Sequence, residues 1–398
     1  MEALEARVAE LEVMLQQLLD EKQVESTPEP VVQPARVEAV PENSYAFGGY
    51  IKFDAMFSDY SGGDLPAGSP GAQFYIPALV PVGGAASEGP DADLQARESR
   101  INFRSKHRLA NGDTIGTFLE LDFFLGNAGD ERISNSFNPR LRQAFFKYNN
   151  WLFGQTWSTF QDVGALPENL DFIGPAESTV FVRQPQVRYT RGAWEFAAEN
   201  PETTITPFGG GGRIVSDDGS LPDLVTRYTA ALDHGYVKAA ALFRQLGYRD
   251  GNMDDQETGL GISLSGKHMF GQDDLRWMAT WGSGTGRYLG LNTSTGAVLD
   301  GNDQLQAIDQ WGAFVSYRHF WSDRWRSNFT YGYLNNENDP ALTGLDVTRD
   351  VYSIHVNLLY SPVPKMTIGG EFLFAERTLE SDESGDMTRV LLSAKYAF

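Results

Sequence analysis

The sequence predicts an all-β fold: a sixteen-stranded antiparallel transmembrane β-barrel preceded by a short N-terminal α-helical coiled coil. From residue 45 to residue 398, apolar and polar residues alternate with period two, which is typical of strands with one apolar and one polar face. Short turns and long polar segments alternate as connections, as they do in membrane barrels. Aromatic residues gather near the strand ends, where such a barrel meets the headgroup layer.

Residues 1–22 have the apolar spacing of a coiled coil. Six apolar residues with a 3-4-3-4-3 spacing form one stripe on a helix: Met1, Leu4, Val8, Leu11, Leu15 and Leu18. A helix this short is marginal alone in water, so we expect partner helices, with a frayed amphipathic tail as the alternative. The residues of this stripe do not indicate whether the coiled coil is a dimer or a trimer. Residues 23–44 follow as a linker with four prolines, a composition that favours an extended chain.

The barrel is predicted to span residues 45–398. Ile51 and Phe53, for example, alternate with Lys52 and Asp54. The segments number about sixteen, joined by eight long connections and seven short turns, and the even count places both ends of the barrel on the short-turn side. A soluble β-sandwich would also alternate, but it would place its aromatic residues more often in mid-strand.

The composition alone resembles that of a soluble acidic protein. The chain carries a net charge of −21, five histidines and no cysteine, and its mean hydropathy is −0.34. The missing cysteines exclude disulfides and thiol nucleophiles, and the acidic balance argues against nucleic acid as a partner. The charge is unevenly distributed, however. Residues 1–44 carry 10 acidic and 3 basic residues, the long connections are acidic, and the strands and short turns have an excess of basic residues.

Most of the strand cations are predicted to face a water-filled lumen. A Lys or Arg on the lipid face costs about 2–4 kcal/mol at mid-depth, so alternation assigns these side chains to the interior. Arg140 and Arg142 share a face opposite Leu141 and Phe145, whereas Arg183 falls on the lipid phase and must lie above the lipid or follow a bulge. The residues expected to form an anion-selecting ladder are Arg100, Arg104, Arg108, Arg142 and Arg188, with Lys52, Arg140, Arg227, Arg244 and Arg318 as weaker candidates. The alternative is that these charges only solvate the lumen and pair with its carboxylates.

The third long segment, Thr156–Thr179, is the candidate constriction loop. It carries Asp162, Glu168 and Asp171 and no basic residue, among several apolar residues. We expect the apolar residues to pack against the barrel wall, so that the carboxylates face the arginines across a narrowed pore. An exposed acidic loop is the alternative.

No sequence motif indicates catalysis or a bound cofactor. The chain has no H-E-x-x-H, G-x-S-x-G or P-loop pattern, and its five histidines are dispersed. The acidic segments around Asp254 and Asp382 lack the spacing of a calcium loop. We therefore expect no catalytic residue, no metal and no cofactor, and a transport function instead of an enzymatic one.

Several segments together carry a resemblance to a known family. They are the heptad N-terminus with its Pro-rich linker, Phe47–Asp54, Ser99–Phe103, Arg183–Tyr189 and the terminal Phe398. In this combination the chain resembles the DcaP family of trimeric porins. The resemblance implies a homotrimer in the Gram-negative outer membrane, in contact with its lipid and lipopolysaccharide, with the coiled coil in the periplasm. It also implies a passive channel for small hydrophilic solutes that prefers anions such as dicarboxylates.

Three other functions stay open at the level of sequence. A general or cation-preferring porin would follow if the acidic loops dominate the pore. A barrel enzyme of the outer membrane would need Ser, His and an acid together at the outer rim. An envelope tether would act through the N-terminal helix and conduct no ions.

Overall fold

The computed structural model describes residues 43–85, 89–125, 129, 131–251 and 253–398. The predicted coiled coil and the linker as far as residue 42 lie outside the described residues, so both stay predictions. The barrel begins with the strand that starts at Asn43.

The described residues form one closed antiparallel barrel of sixteen strands, as the sequence predicts. In chain order these are β1 (Asn43–Tyr60), β2 (Asp91–Gln95, continued by Arg100–Arg108), β3 (Thr114–Asp122), β4 (Arg140–Tyr148), β5 (Trp151–Trp157), β6 (Arg183–Arg191), β7 (Trp194–Glu199), β8 (Asp223–Leu232), β9 (Gly235–Asp250), β10 (Met253–Phe270), β11 (Asp273–Ser283), β12 (Asp309–Phe320), β13 (Trp325–Glu337), β14 (Thr348–Tyr360), β15 (Met366–Leu379) and β16 (Ser384–Ala397). β1 closes the barrel, because it pairs with both segments of β2 on one side and with β16 on the other. Closure leaves no unpaired sheet edge toward the lipid.

The connections differ in length between the two ends of the barrel. Seven turns of two to five residues join the strands at one end. The other end has eight connections, but two of them are short, at 251–252 and 380–383, which departs from the prediction of eight long ones.

β9 and β10 have 16 and 18 residues, more than the roughly 9–11 that cross a bilayer. The acidic segment around Asp254 therefore continues these strands as a projecting hairpin instead of forming a loop.

The long connections contain short elements of their own. Four short strands form a second sheet in the spatial order Ile214–Ser216, Thr203–Thr206, Ala297–Leu299 and Leu305–Ala307. Its apolar residues pack on Leu246 of β9. The 3₁₀-helices are Pro70–Ala72, Pro77–Leu79, Val163–Ala165, Ala176–Ser178, Gly286–Tyr288 and Gly290–Asn292, and the α-helix is Pro340–Thr343. Among the described residues, no helix has the length and hydrophobicity of a membrane span.

Apolar side chains from the long connections are buried against the inner face of the strands. Phe74 and Tyr75 of the first connection pack with Leu373 of β15 and Met387 of β16. A second cluster joins residues of the third connection to other strands and to the connection that follows β11. The connections therefore fill part of the lumen and form a packed core inside the barrel.

The two strand faces alternate largely as predicted. In β1 the side chains of Ile51 and Phe53 are exposed on the outer face, whereas Lys52 and Asp54 are buried inside. Exposed aromatic residues near strand ends include Tyr45, Phe47, Trp151, Trp194, Trp321 and Tyr396. Trp157 is an exception to the predicted aromatic belt, because its ring packs edge-on against Phe181 of the third connection at 4.6 Å.

A register shift between β3 and β4 corrects one predicted orientation. Asp122 pairs with Arg140, but Glu120 pairs with Gln143, so one extra residue is accommodated beside Arg142. A bulge of this kind reverses the alternation beyond it. Phe145 therefore shares the inner face with Arg140 and Arg142, instead of lying opposite them.

Candidate functional site

The third long connection, residues 158–182, follows the inner face of the barrel wall. Successive residues of this loop meet successive strands, from β7 through β16 and then β1. The strand side chains that bind it are, in that order, Glu199, Arg227, Lys238, Ser265, Arg276, Arg318, Arg326, Asn357, Glu371, Arg389 and Lys52. Attachment to so many strands holds the loop inside the lumen, which it narrows.

Glu371 of β15 is the most heavily bonded of these anchors. Its carboxylate accepts hydrogen bonds from the backbone N–H groups of Leu170 at 2.6 Å and Asp171 at 3.2 Å. It also meets Asn357 at 3.0 Å and His355 at 3.2 Å. All of these groups are buried, so the carboxylate stabilises the loop by satisfying two buried backbone donors.

The acidic residues of the loop bind the wall beneath them. Asp162 accepts hydrogen bonds from Lys238 at 2.6 Å and Ser265 at 2.9 Å. Asp171 accepts from the backbone of Tyr75 at 2.9 Å and lies 3.7 Å from Arg389. This geometry differs from the prediction that the loop carboxylates face the arginines across the pore, because a carboxylate at a packed surface needs a cation or donor within that surface.

Glu168 has two cationic partners on the wall. Its carboxylate accepts hydrogen bonds from Arg318 of β12 at 2.8 Å and from Arg326 of β13 at 2.9 Å. Burial opposes ionisation, but the hydrogen bonds and charges of the two arginines outweigh it and lower the pKa of Glu168 to about 2. The carboxylate therefore stays ionised and neutralised by the wall at neutral pH.

Glycines in the strands allow the loop to approach the wall closely. A Cβ atom on Gly332 of β13 would lie 2.1 Å from Oε1 of Glu177 and 2.6 Å from Oγ of Ser178. On Gly369 of β15 it would lie 3.3 Å from a side-chain carbon of Leu170. Glycine inside a strand often marks such a close approach.

Gly332→Ala is expected to displace the loop segment that carries Glu177. Inserting a methyl group at a packed contact costs about 1–3 kcal/mol, so the melting temperature of the folded barrel in detergent should fall. The single-channel conductance should also fall, because the methyl group pushes the loop away from the wall into the lumen. Gly116→Ala on β3 is the matched control, because the nearest atom to its Cβ is 3.8 Å away. Equal effects of the two substitutions would contradict close packing at Gly332.

Several predicted selectivity residues are structural anchors. Lys52, Arg227 and Arg318 bind the third loop as described above. Arg188 of β6 donates to the backbone carbonyl of Trp157 at 2.6 Å and lies 3.4 Å from Glu195. These four cations are therefore bound to carboxylates or carbonyls, as in the alternative interpretation of the sequence.

Arg244 of β9 is also an anchor, and it is 1% exposed. Its guanidinium lies 3.2 Å from the Asp223 carboxylate and donates to the carbonyl of Gly284 at 2.9 Å and to that of Glu202. It thereby ties two long connections to the strands. A solute has no access to such a group.

Arg244→Met is expected to destabilise the protein and leave ion selectivity unchanged. Removing one partner of a buried ion pair costs about 3–5 kcal/mol, which chemical unfolding of the reconstituted protein would measure. The exposed pair Arg249–Asp254, at 57% and 58% side-chain exposure, provides the control Arg249→Met, with an expected loss below about 1 kcal/mol. A changed reversal potential in Arg244→Met would show that this arginine does act on permeating ions.

Four cations of the wall, three on β2 and one on β4, are not neutralised by a carboxylate in this way. Among the described residues, no ion pair is formed by Arg104, Lys106, Arg108 or Lys147, and all four are exposed. The third loop makes no hydrogen bond to them within the described chain. Their charge is therefore available to the lumen.

The strand register groups three of these cations around β3. Lys106 and Lys147 flank Gly116 at one level, and Arg104 pairs with Phe118 at the next level. The Arg104 guanidinium lies 5.2 Å from the Phe118 ring centre. Gly116 brings no side chain between the two lysines, so their ammonium groups stay open to solvent.

Sequence reasoning missed Lys147 as a candidate. Phe145 and Phe146 are adjacent, so either one could mark the outer face, and the alternation cannot assign Lys147 until the bulge is known. The structure places Phe146 outside, against Phe153, and Lys147 on the inner face with Phe145. Lys106 shares its strand phase with Arg104 and Arg108, but it is not among the residues that the sequence predicts as the ladder.

The remaining predicted arginines form a paired cluster on β2, β3 and β4. Arg142 binds Glu120 at 2.9 Å and Asp122 at 2.6 Å. Arg140 makes a bidentate contact with Asp122, both hydrogen bonds being 2.8 Å, and Arg100 lies 3.7 Å from Glu120. At this level the two carboxylates therefore neutralise part of the positive charge of the lumen wall.

In the described part of the chain, no group of His, Asp and Glu side chains has the arrangement of a metal site.

Comparisons with known proteins agree with this architecture. A model of the family described as DcaP outer membrane protein matches residues 44–398. The outer membrane channel DcaP of Acinetobacter baumannii is 24% identical, with 89% of this chain and 97% of that chain covered and a TM-score of 0.74. At this identity the likeness establishes the fold.

Two more distant porin structures share the fold. The trimer form of OmpT of Vibrio cholerae is 12% identical, covers 89% of this chain and 99% of that chain, and has a TM-score of 0.53. The anion-selective porin from Comamonas acidovorans is 13% identical, covers 90% and 100%, and has a TM-score of 0.50. No curated protein matches the chain in sequence.

Proposed function

The chain belongs to the DcaP outer membrane protein family, as its sequence resemblance indicates, and we propose that it is a passive channel for small hydrophilic solutes that prefers anions such as dicarboxylates. Transport of this kind needs a hydrated lumen, weak binding and a concentration gradient. The proposal involves no covalent step and no cofactor.

One observation carries the anion preference: the balance of charge inside the barrel. The carboxylates of the third loop are bound to cations or donors of the wall, whereas Arg104, Lys106, Arg108 and Lys147 have no carboxylate partner among the described residues. Uncompensated cations along a narrow aqueous path raise the local anion concentration and lower the barrier to anion entry. Asp254 of the projecting hairpin is solvent-exposed and paired with Arg249.

We also propose that the protein is a homotrimer whose N-terminal coiled coil lies in the periplasm. The trimer form of OmpT offers a precedent for this assembly on the same fold. The outer face of β1 to β7 also suits contact with another subunit. Its strands β3 to β7 have only six to nine residues, and its exposed aromatic rings include Phe47, Phe146, Trp151 and Trp194. A single-subunit mass in detergent, measured by light scattering, would contradict the trimer.

Solute uptake into liposomes tests the substrate class. Succinate and 1,4-butanediol have the same carbon number and similar length, but only succinate is charged. We expect purified protein to accelerate succinate entry more than butanediol entry, relative to protein-free liposomes. Faster butanediol entry would indicate a general porin, and no entry of either solute would indicate a tether.

A further inference from the structure

The paired arginine cluster contains more cations than its carboxylates can bind. Glu120 and Asp122 are the two buried carboxylates, and Arg100, Arg140 and Arg142 already occupy them. Arg183, at the start of β6, adds a fourth guanidinium. Four cations against two carboxylates leave the cluster with a local charge of +2.

Arg183 itself has no hydrogen-bond partner within the described chain. Its Nη1 atom is buried and unsatisfied, and its guanidinium lies 5.0 Å from the ring centre of Trp157. The charged groups that act on it are Arg142, Arg140, Arg100 and Asp122, so three of the four repel it. Arg100 has a buried Nε atom that is also unsatisfied.

Such an arrangement is unfavourable for the protein alone. A guanidinium that is partly withdrawn from water and meets like charges gains most from an anion or an acceptor. Trp157 supplies an aromatic face to Arg183 at 5.0 Å and to Arg142 at 5.9 Å, but a ring accepts no strong hydrogen bond. The missing partner is therefore an acceptor that carries negative charge.

We propose that Arg183, together with Arg100, forms a binding site where a carboxylate of a permeating solute pauses beside Trp157, next to the buried Arg142. The guanidinium fork presents parallel N–H donors that match a carboxylate, and the ring limits the site on one side. This inference rests on the proposed function and deepens it, because it places the step at which an anion is bound instead of only attracted.

The site also explains a departure from the alternation rule. Arg183 shares its phase with Val187, which is exposed on the outer face, yet its guanidinium lies against the ring of Trp157, on which Arg142 of the cluster also packs. It can do so because it is the first residue of its strand and pairs with Trp157, the last residue of β5. The strand end therefore turns this side chain inward.

Succinate-dependent stabilisation of the detergent-solubilised protein tests the site. The melting temperature is measured against sodium succinate, with sodium chloride at equal ionic strength as reference. In Arg183→Gln, the succinate concentration for half-maximal stabilisation should rise about tenfold or more, the loss expected for one charge-assisted interaction. The melting temperature without succinate should not fall, because a repelled charge is removed. Arg183→Lys keeps the charge without the fork and should recover only part of the succinate effect.

Arg249→Gln, on the exposed hairpin, is the matched control and should behave as wild type. An unchanged succinate response in Arg183→Gln, or an equal loss in Arg249→Gln, would overturn the site. Wild-type reversal potentials measured on the same preparations separate the two claims. If the wild type is anion-selective but Arg183→Gln keeps the wild-type succinate response, the binding site is rejected and the anion-preferring channel stands. If the wild type is cation-selective but Arg183→Gln loses the succinate response, the anion-preferring channel is rejected and the binding site stands.

Discussion

The double substitution Arg104→Glu with Lys147→Glu is expected to abolish or reverse the anion preference of the pore. The two residues lie on the inner face at neighbouring levels of the wall and have no carboxylate partner among the described residues. A unit charge 4 Å from a permeating ion changes the energy of that ion by about 1 kcal/mol even in bulk water. The double substitution changes the charge of the wall by four units. The anion-to-cation permeability ratio in planar bilayers should therefore fall by about tenfold or more.

A control with the same charge change separates a lumen effect from a general surface effect. Arg249 and Arg349 are exposed by 57% and 37% and pair with carboxylates at the loop end of the barrel. Replacing both by glutamate changes the protein's net charge equally and should alter the permeability ratio much less. If the two double variants shift the ratio equally, the β2–β4 wall does not determine selectivity.

Glu371→Ala is expected to detach the middle of the third loop from the wall. The substitution leaves the buried backbone donors of Leu170 and Asp171 without their acceptor, and each such group costs about 1–3 kcal/mol. The free energy of unfolding should fall by about 3 kcal/mol, and the single-channel conductance should rise because the loop no longer narrows the lumen. Urea unfolding in lipid vesicles and single-channel recording measure the two effects.

Glu371→Gln and Asp254→Ala are the controls for this prediction. The amide oxygen of glutamine can still accept one of the backbone hydrogen bonds, so its effect should be smaller than that of alanine. Asp254 has a carboxylate in an exposed pair with Arg249, whose loss should cost below about 1 kcal/mol. A stable Glu371→Ala variant with unchanged conductance would show that the loop is held without this anchor.

The barrel could be predicted from sequence because its signal is local and repeated. Alternation in each strand reports which face meets lipid, and the strand count fixes the closed form. Connection length was less predictable, since Asp254 and Asp255 belong to a polar segment that continues β9 and β10 into solvent. Outside the bilayer a strand no longer needs an apolar face, so the pattern there does not separate strand from loop.

The inner face could be predicted, but the partner of each inner cation could not. Alternation places Arg318 and Arg104 on the same face, yet Arg318 binds Glu168 from a segment about 150 residues earlier in the chain. Arg104, within the described residues, makes no ion pair and lies near the ring of Phe118. That difference depends on the path of the third loop. The bulge at Arg142 and the inward turn of Arg183 are similarly invisible in a pattern that assumes unbroken alternation.

The wild-type reversal potential in a potassium chloride gradient across a planar bilayer tests the central claim most directly. The claim is that wall cations, not loop carboxylates, set the charge that a permeating ion meets. We predict a reversal potential with the sign of chloride selectivity, decreasing as ionic strength screens the wall. A reversal potential with the sign of potassium selectivity, unchanged after the outer acidic residues are neutralised, would contradict the claim.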